Sequence, residues 1–188
     1  LSVAWADRDW RFMNYGYAPE TPFALAPEDE PDRGFIGLYE QAVDGLRLKD
    51  ARVLEIGSGR GGGAAYVAAY HRPARMIGAD FSEATVKRAI KLNREDSTLS
   101  FVVGDAEALP FEDASFDIVL NIESSHCYGD QAAFVAEVAR VLRPGGVFTW
   151  ADIRAPAMMP MTEQAFAHPD LELITSETLT PGVLRALD

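Results

Sequence analysis

The residues best suited to chemistry form a glycine-rich stretch over residues 57–63, directly after a short apolar run. Glycines at such a position let the backbone turn sharply and approach a ligand without Cβ clashes. The helix that follows would present free N–H groups to the polar end of that ligand. The stretch therefore predicts a nucleotide-type binding loop, with a purely structural glycine turn as the alternative.

Two spacing patterns fit this stretch. Gly57, Gly59 and Gly62 match the G-x-G-x-x-G pattern of dinucleotide-binding proteins. Glu55 followed by Gly57, Gly59 and Gly61 gives E-x-G-x-G-x-G, which resembles the pattern of S-adenosylmethionine-dependent methyltransferases. The glycines alone do not decide between the two kinds of nucleotide.

Asp80 is the second candidate ligand-binding residue. It ends an apolar run roughly 20 residues beyond Gly57, which is the spacing of an acid that binds ribose hydroxyls. A carboxylate can accept both hydroxyls of a vicinal diol, so Asp80 suits NAD and S-adenosylmethionine equally. The structural alternative is a cap for the helix that follows, and the two roles are compatible.

A third set of residues favours the methyltransferase. One apolar run is followed by Gly104-Asp105-Ala106-Glu107-Ala108-Leu109-Pro110-Phe111. Residues 115–119 lead into the next apolar run, and residues 141–146 precede a third. In this order and spacing they closely resemble class I S-adenosylmethionine-dependent methyltransferases over residues 33–154. A dinucleotide dehydrogenase would not show this set.

The resemblance implies a binding site for the cofactor S-adenosyl-L-methionine. Asp105 would bind the adenine amino group, the backbone of Ala106 would face the ring, and Asn121 would lie near the methionine portion. Glu55 and Asp80 would contribute to an acidic pocket that suits a positively charged sulfonium. The implied cofactor-binding residues are Tyr17, Glu55, Gly57, Ser58, Gly59, Gly61, Asp80, Phe81, Asp105, Ala106 and Asn121.

A closer resemblance extends beyond the cofactor motifs. Residues 12–17, 59–63, 121–128 and 151–154 together look like the bacterial phthiotriolone/phenolphthiotriolone dimycocerosate methyltransferases. Those enzymes O-methylate a hydroxyl on a long polyketide-derived lipid. The resemblance implies an O-methyltransferase whose partner is a hydrophobic small molecule, such as a polyketide, a lipid or another secondary metabolite. It does not fix the acceptor, because substrate-binding segments vary freely on this scaffold.

A hydroxyl is a poor nucleophile unless its proton leaves during attack, so O-methylation calls for a positioned base. Our candidate is His126, beyond the fourth predicted strand, because open α/β proteins hold ligands at the carboxyl edge of the sheet. Glu123 and Tyr128 are the neighbouring alternatives, and a structural hydrogen-bonding role for His126 stays open. Asp152 and Glu123 could assist a Mg²⁺ ion, but two carboxylates are weak evidence, so we expect no metal.

Other functions stay open at this point. C-methylation of a lipid or sterol-like substrate is the nearest, since Glu123-Ser124-Ser125-His126 also resembles the equivalent loop of sterol C-methyltransferases. A methyltransferase-fold enzyme that catalyses cyclisation or another non-methyl reaction is a second alternative. An NAD(P) oxidoreductase and a cofactor-binding module without catalysis are the others.

The elements that must position these residues alternate between short apolar runs and helical patterns. Strands are predicted at residues 52–56, 75–79, 100–103, 116–121 and 147–153, and helices from residue 32 and at 63–71, 82–94, 131–142 and from 180. This alternation predicts parallel βαβ units with right-handed crossovers. We therefore expect an α/β fold with a doubly wound, Rossmann-like and mostly parallel sheet.

The predicted strand count is lower than the resemblance implies. Class I methyltransferases have seven strands, and five can be placed; after Ile153 the sequence reads as loop and a short helix. We expect a truncated or partly ordered version of a longer protein that lacks the last hairpin of the sheet. The edge of strand five would then be exposed to pairing with another chain, which leaves a homo-oligomer open.

The chain divides into three predicted segments. Residues 1–31 form an aromatic and proline-rich arm or lid, residues 32–154 the cofactor-binding core, and residues 155–188 an incomplete C-terminal substrate or lid segment. Prolines at the density found in the arm prevent a continuous helix. Tyr15 and Tyr17 in this arm close over the cofactor or, alternatively, anchor the arm to the body.

Composition excludes several classes of function. The 188 residues carry a net charge of −12, which argues against nucleic acid as a partner. No apolar run reaches the ~20 residues of a membrane span, and the first residues do not form a signal peptide. The single Cys127 excludes an internal disulfide framework and a thiolate zinc cluster. We expect a soluble, cytoplasmic enzyme.

Overall fold

The computed structural model describes residues 10–94 and 97–188, so residues 1–9 of the predicted arm, with Trp5, lie outside the described part. Helices and strands alternate along the chain as the sequence patterns predict. The elements are α1 (Arg33–Val43), β1 (Arg52–Ile56), α2 (Gly62–His71), β2 (Arg75–Asp80), α3 (Glu83–Leu92), β3 (Leu99–Val103), β4 (Phe116–Ile122), α4 (Gln131–Val141), β5 (Leu142–Ala151), α5 (Met159–Phe166) and α6 (Thr180–Leu187).

Within the described residues the sheet has five parallel strands in the order β3-β2-β1-β4-β5, which confirms the predicted α/β fold class. The chain leaves β1 toward β2 on one side and returns through β4 on the other. The strand order therefore reverses between β1 and β4, and ligands of open α/β sheets bind beyond the carboxyl ends of strands at such a point.

Helices cover both faces of the sheet, which explains why the central strands are apolar along their whole length. On one face, α1 and α2 bury residues such as Ile36 and Val67. On the other face, α4 buries Phe134, Val138 and Val141 against the sheet. β1 and β4 are therefore enclosed and hold their carboxyl ends in fixed positions.

Side-chain caps set the start of two helices near the carboxyl edge of the sheet. The Ser82 hydroxyl accepts a hydrogen bond from the Thr85 amide at 3.3 Å, as expected for the cap of α3. The Asp130 carboxylate accepts from the amides of Ala132 and Ala133 at 2.9 and 3.0 Å, and this starts α4. Both helices therefore begin directly after loops that carry candidate site residues.

The fifth strand begins earlier than predicted. Val147 was expected to open it, whereas pairing with β4 already starts at Leu142, which lies opposite Phe116. The register shifts between Phe116 and Ile118, so that the Pro-Gly-Gly segment fits as an irregularity in the strand. Because the far side of β5 carries no strand in the described part of the chain, a proline is tolerated there.

The segment after β5 contains a helix that the sequence patterns did not predict. The sequence between Ile153 and the final helix is predicted to be loop, yet α5 begins at Met159, with Pro160 in its first turn. A proline fits the first turn of a helix because its missing N–H would have no partner there. The Phe166 ring at the end of α5 lies 5.0 Å from the Trp150 ring.

The described part of the arm runs extended over the body. The Arg11 carbonyl accepts a hydrogen bond from the Gly62 amide at 3.2 Å, and the buried Phe12 ring stacks on Phe35 at 6.0 Å. Among residues 10–94 and 97–188, no helix is both long and apolar enough to cross a bilayer.

Candidate active site

The glycine loop after β1 requires glycine for two reasons. Gly57, Gly59 and Gly61 have φ values of 73°, 53° and 82°, in the left-handed region that side chains disfavour. A Cβ at Gly57 would also lie 2.2 Å from the Ser124 hydroxyl oxygen. The loop therefore brings bare backbone against the segment that follows β4.

Asp80, at the end of β2, shapes this loop directly. One carboxylate oxygen accepts a hydrogen bond from the Gly59 amide at 2.9 Å, and the other accepts from the Ser82 amide at 2.9 Å. A carboxylate has about four acceptor positions, so lone pairs are left for the hydroxyls of a ligand. The neighbouring Phe81 side chain is 75% exposed and can cover a flat ring. Loop shaping and ribose binding by Asp80 are thus compatible.

Glu55 is fully buried beneath the loop. Its Oε1 accepts a hydrogen bond from the Tyr39 hydroxyl at 2.7 Å, and its Oε2 has no partner among the described residues. Burial raises the pKa of Glu55 to about 8, with the hydrogen bond from Tyr39 opposing the rise. The shift favours the protonated form of the carboxyl group, and a contribution of Glu55 to an acidic cofactor pocket stays a prediction.

Two more buried polar atoms at this edge lack partners within the described part of the chain. They are the Ser58 hydroxyl and Asn121 Oδ1. The Asn121 amide nitrogen, by contrast, donates to the Ile56 carbonyl at 3.0 Å and to Ser124 Oγ at 2.8 Å. Buried polar groups are normally satisfied, so these orphaned atoms indicate a polar ligand. The residues at the ends of β1 and β4 thus fit S-adenosyl-L-methionine.

The loop after β3 carries the two residues assigned to the adenine ring. Asp105 is exposed and Ala106 is buried. One oxygen of Asp105 accepts a hydrogen bond from the Glu107 amide at 2.9 Å. Binding of an adenine amino group by Asp105, which the sequence resemblance implies, stays a prediction.

His126 lies in the loop after β4, where it contacts the carboxylate of Asp152, the residue that follows β5. Its Nδ1 lies 2.7 Å from Oδ1 of Asp152, and the imidazole is 45% exposed. When Nδ1 carries the proton that this carboxylate accepts, Nε2 keeps a free lone pair. The geometry therefore gives an oriented imidazole whose other nitrogen can accept a proton.

The Asp152 side chain itself is shielded from solvent and surrounded by donors. Its Oδ2 accepts from Ser125 Oγ at 2.6 Å and pairs with the Arg154 guanidinium at 2.8 Å. Burial acts to raise the pKa of Asp152, but the hydrogen bonds from Ser125 and His126 hold it below its usual value. Asp152 stays an anion, and the sequence reasoning had considered it only as an aid to Mg²⁺.

Glu123 faces the arm as well as the site. Its φ of 45° is unusual for a side-chain-bearing residue, and its Oε2 accepts a hydrogen bond from the Tyr15 amide at 2.9 Å. Burial raises the pKa of Glu123, the Tyr15 hydrogen bond opposes the rise, and the charge of Asp152 adds to it. Glu123 thus ties the arm to the loop that carries His126.

Tyr128 packs next to the glycine loop. Its hydroxyl lies 2.9 Å from Ser124 Oγ and 3.0 Å from the Asn121 amide nitrogen. Burial raises the pKa of Tyr128 to about 12, although both hydrogen bonds act to lower it. The phenol is therefore protonated at neutral pH, and Tyr128 is better suited to act as a hydrogen-bond donor than as a general base.

Met13 of the arm lies over the glycine loop, since its sulfur would be 3.3 Å from a Cβ at Gly59. The Tyr17 ring instead lies against Gly182 in α6, and its amide donates to the Gly34 carbonyl at 2.8 Å. The structure therefore brings the other candidate cofactor residues to one sheet edge and places the Tyr17 ring between α1 and α6.

The described residues do not form a recognisable metal-binding site. Among residues 10–94 and 97–188, no group of three or more His, Cys, Asp or Glu side chains could hold a metal ion. The carboxylates of Glu123 and Asp152 are already engaged by Tyr15 and by Ser125, His126 and Arg154.

Comparison with known proteins agrees with this geometry. A family profile described as "Methyltransferase domain" matches residues 54–150. The chain is 43% identical over 179 residues to a probable phthiotriol/phenolphthiotriol dimycocerosates methyltransferase 2 of Mycobacterium ulcerans, covering 94% of this chain and 69% of the relative. It is 40% identical over 184 residues to a fatty-acid O-methyltransferase of Mycolicibacterium smegmatis, covering 97% and 67%.

The fold is shared with solved structures too. A geranyl diphosphate C-methyltransferase from Streptomyces coelicolor superposes with a TM-score of 0.75 at 21% identity, over 93% of this chain and 75% of that one. The chain spans about two thirds of the length of the curated relatives that it matches, with shares from 66% to 69%.

Proposed function

This chain belongs to the class I S-adenosylmethionine-dependent methyltransferases, and from that premise we propose that it methylates a hydroxyl of a hydrophobic, lipid-related small molecule. The names of the relatives support the acceptor class, since they refer to phthiotriol lipids and to fatty acids. When bound, S-adenosylmethionine supplies a methyl group made electrophilic by its positively charged sulfonium.

The observation that carries the proposal is the pair of His126 and Asp152. Asp152 accepts the Nδ1 proton, so Nε2 is the nitrogen that takes the proton from an acceptor hydroxyl during attack. The imidazole is 45% exposed beside Asp152, after the carboxyl ends of β4 and β5, so an acceptor can reach it from solvent. The imidazolium that forms is then stabilised by the buried anion of Asp152.

The surrounding residues position the reactants. Gly57 and Gly59 expose backbone to the cofactor, and Asn121 offers its unpartnered Oδ1 to it. The Tyr128 hydroxyl lies 2.9 Å from the Ser124 hydroxyl and is held at the same edge. Methyl transfer requires an in-line approach of hydroxyl oxygen to methyl carbon, and such fixed neighbours reduce the entropy cost of that alignment.

The proposal is tested with methyl-¹³C-labelled S-adenosylmethionine, a long-chain alcohol and the matched fatty acid. We expect the alcohol to gain one labelled methyl group on oxygen, detected by mass spectrometry and NMR. We expect His126→Asn to slow this reaction by about 10²-fold or more, the usual range for loss of a base. His168→Asn serves as the matched control, since His168 lies beside Asp170 near the chain's end.

Three results would contradict the proposal. A label attached to carbon would indicate C-methylation instead. Methylation of the fatty acid but not of the alcohol would make the acceptor a carboxylate, which needs no base. Undiminished turnover of the His126→Asn variant, with unchanged affinity for S-adenosylhomocysteine, would remove His126 as the base.

A further inference from the structure

Glu107 makes an unusual contact between two loops of the site. Its Oε1 accepts hydrogen bonds from two successive backbone amides, Gly129 at 2.7 Å and Asp130 at 2.9 Å. Glu107 lies 22 and 23 residues before these partners in the sequence, and its side chain is half-buried. Hydrogen bonds from N–H groups to a carboxylate are stronger than those between neutral groups.

The two ends of this contact belong to different parts of the site. Glu107 directly follows Asp105 and Ala106, and its own amide donates to the Asp105 carboxylate. Gly129 and Asp130 end the loop that carries His126, just before α4 begins. The start of that loop continues β4, and its middle is held by Asp152. The end of the loop continues into α4, which Asp130 caps, and Glu107 ties this end to the loop after β3.

The far end of the β3 loop has a separate attachment to α4. The Leu109 amide donates to Glu137 Oε2 at 2.6 Å, and the Arg140 guanidinium donates to the Leu109 carbonyl at 3.1 Å. This attachment does not involve residues 123–130. The loop after β3 is therefore attached at both ends, and Glu107 connects its ligand-binding end to the His126 loop.

We propose that Glu107 is a positioning residue that couples occupation of the nucleoside part of the cofactor site to the conformation of the His126 loop. A ligand held by Asp105 and Ala106 orders Glu107, and Glu107 then holds the amides of Gly129 and Asp130. By linkage, an ordered His126 loop in turn favours the bound nucleoside. The inference rests on the proposed function for the role of His126 and on the family for the ligand.

Hydrogen exchange with S-adenosylhomocysteine as the probe tests the coupling without any acceptor. We expect the probe to slow exchange of the Gly129 and Asp130 amides by about tenfold in the unmodified chain, within the usual range of coupling between sites. In Glu107→Ala the slowing should fall below about twofold. Glu107→Gln keeps an acceptor oxygen at the same position and should retain most of it.

The control is Glu137→Gln, which alters the second attachment of the same loop. It should lower thermal stability while leaving the protection of Gly129 and Asp130 by the probe in place. Glu107→Asp provides a milder variant that shortens the side chain by one methylene and should lose the coupling while folding normally. Each variant is used only after its circular dichroism matches that of the unmodified chain.

Equal protection of the two amides in Glu107→Ala, Glu107→Asp and the unmodified chain would overturn the inference. A failure of the proposed function looks different, because it changes the methylated product or the effect of His126→Asn and leaves the exchange pattern as described. For turnover, the inference expects Glu107→Ala to reduce kcat about tenfold, because the His126 base loses alignment, with recovery in Glu107→Gln. A purely structural role would lower the protection of the Gly129 and Asp130 amides in Glu107→Ala equally with and without S-adenosylhomocysteine, so the slowing caused by the probe would stay at about tenfold.

Discussion

Asp152 and Glu55 are two carboxyl side chains shielded from solvent at the same edge of the sheet. Their surroundings shift the pKa of the two groups in opposite directions. Asp152 has donors on both oxygens, including the Arg154 guanidinium, and its pKa lies below the usual value. Glu55 has the Tyr39 hydroxyl on one oxygen and an unpartnered second oxygen, and its pKa is raised to about 8.

The difference shows that burial alone does not decide whether a carboxyl group is charged. A buried anion is stable when several donors and a cation replace the lost water, and it is otherwise protonated. The first arrangement suits a permanent partner for His126. The second favours the protonated form of a fully buried carboxyl group, although the Tyr39 hydroxyl and the Ala64 backbone amide act to lower its pKa.

The largest effect should follow from removing the Asp152 charge. Asp152→Asn leaves the Arg154 guanidinium, which is 5% exposed, without its anion, and a broken buried ion pair costs about 3 kcal/mol or more. Urea denaturation should therefore show a loss of this size in the free energy of unfolding. Asp113→Asn is the matched control, since this 81% exposed partner of Arg140 should contribute less than about 1 kcal/mol. Equal losses in both variants would contradict the contrast.

The second prediction concerns the pH dependence that Glu55 creates. Because its folded-state pKa is raised above the unfolded value, the folded state holds the proton more tightly and stability falls as pH rises toward 8. Between pH 6 and pH 8 this contribution is about 2 kcal/mol. Urea denaturation at both pH values should show the loss in the unmodified chain and not in Glu55→Gln. The same pH dependence in both chains would assign it to other groups.

The smallest predicted effect comes from Tyr39→Phe. The substitution removes the hydroxyl that donates to Glu55 and should cost about 1 kcal/mol of unfolding free energy. Since this hydrogen bond lowers the pKa of Glu55, its loss should also move the pH dependence to higher pH. Tyr66→Phe removes a comparable bond to Glu40 outside the site and should leave the pH dependence of Glu55 unchanged. If the pH dependence of stability moved equally in Tyr39→Phe and Tyr66→Phe, the shift would not come from the hydrogen bond between Tyr39 and Glu55.

The strands and the glycine loop could be predicted because their signals are local. Apolar runs enclosed by helices predict parallel strands, and Gly57, Gly59 and Gly61 are needed where φ is positive. Ser82 is an effective cap that can be read from the residue type and the pattern that follows. The early start of β5 was missed, since Pro144 and the following glycines normally end a strand and here occupy a register shift.

The relations between distant residues could not be predicted in the same way. His126 and Asp152 are 26 residues apart and meet because β4 and β5 are neighbours, with Ile122 opposite Ala151. Both residues follow the ends of adjacent strands, which becomes evident only when the order of the strands in the sheet is known. The pairing of Glu55 with Tyr39 depends on how α1 packs, and a helical pattern predicts the buried face but not the hydrogen bond of one hydroxyl.

The position of β1 between β2 and β4 has a consequence for how the chain folds. The Asn121 amide donates to the Ile56 carbonyl across a separation of 65 residues, so joining β4 to β1 closes a long loop at an entropy cost of about 4 kcal/mol. The pairs among β1, β2 and β3 close shorter loops. We therefore expect the first three strands to assemble before β4 joins them, so that the two walls of the cofactor site meet late in folding.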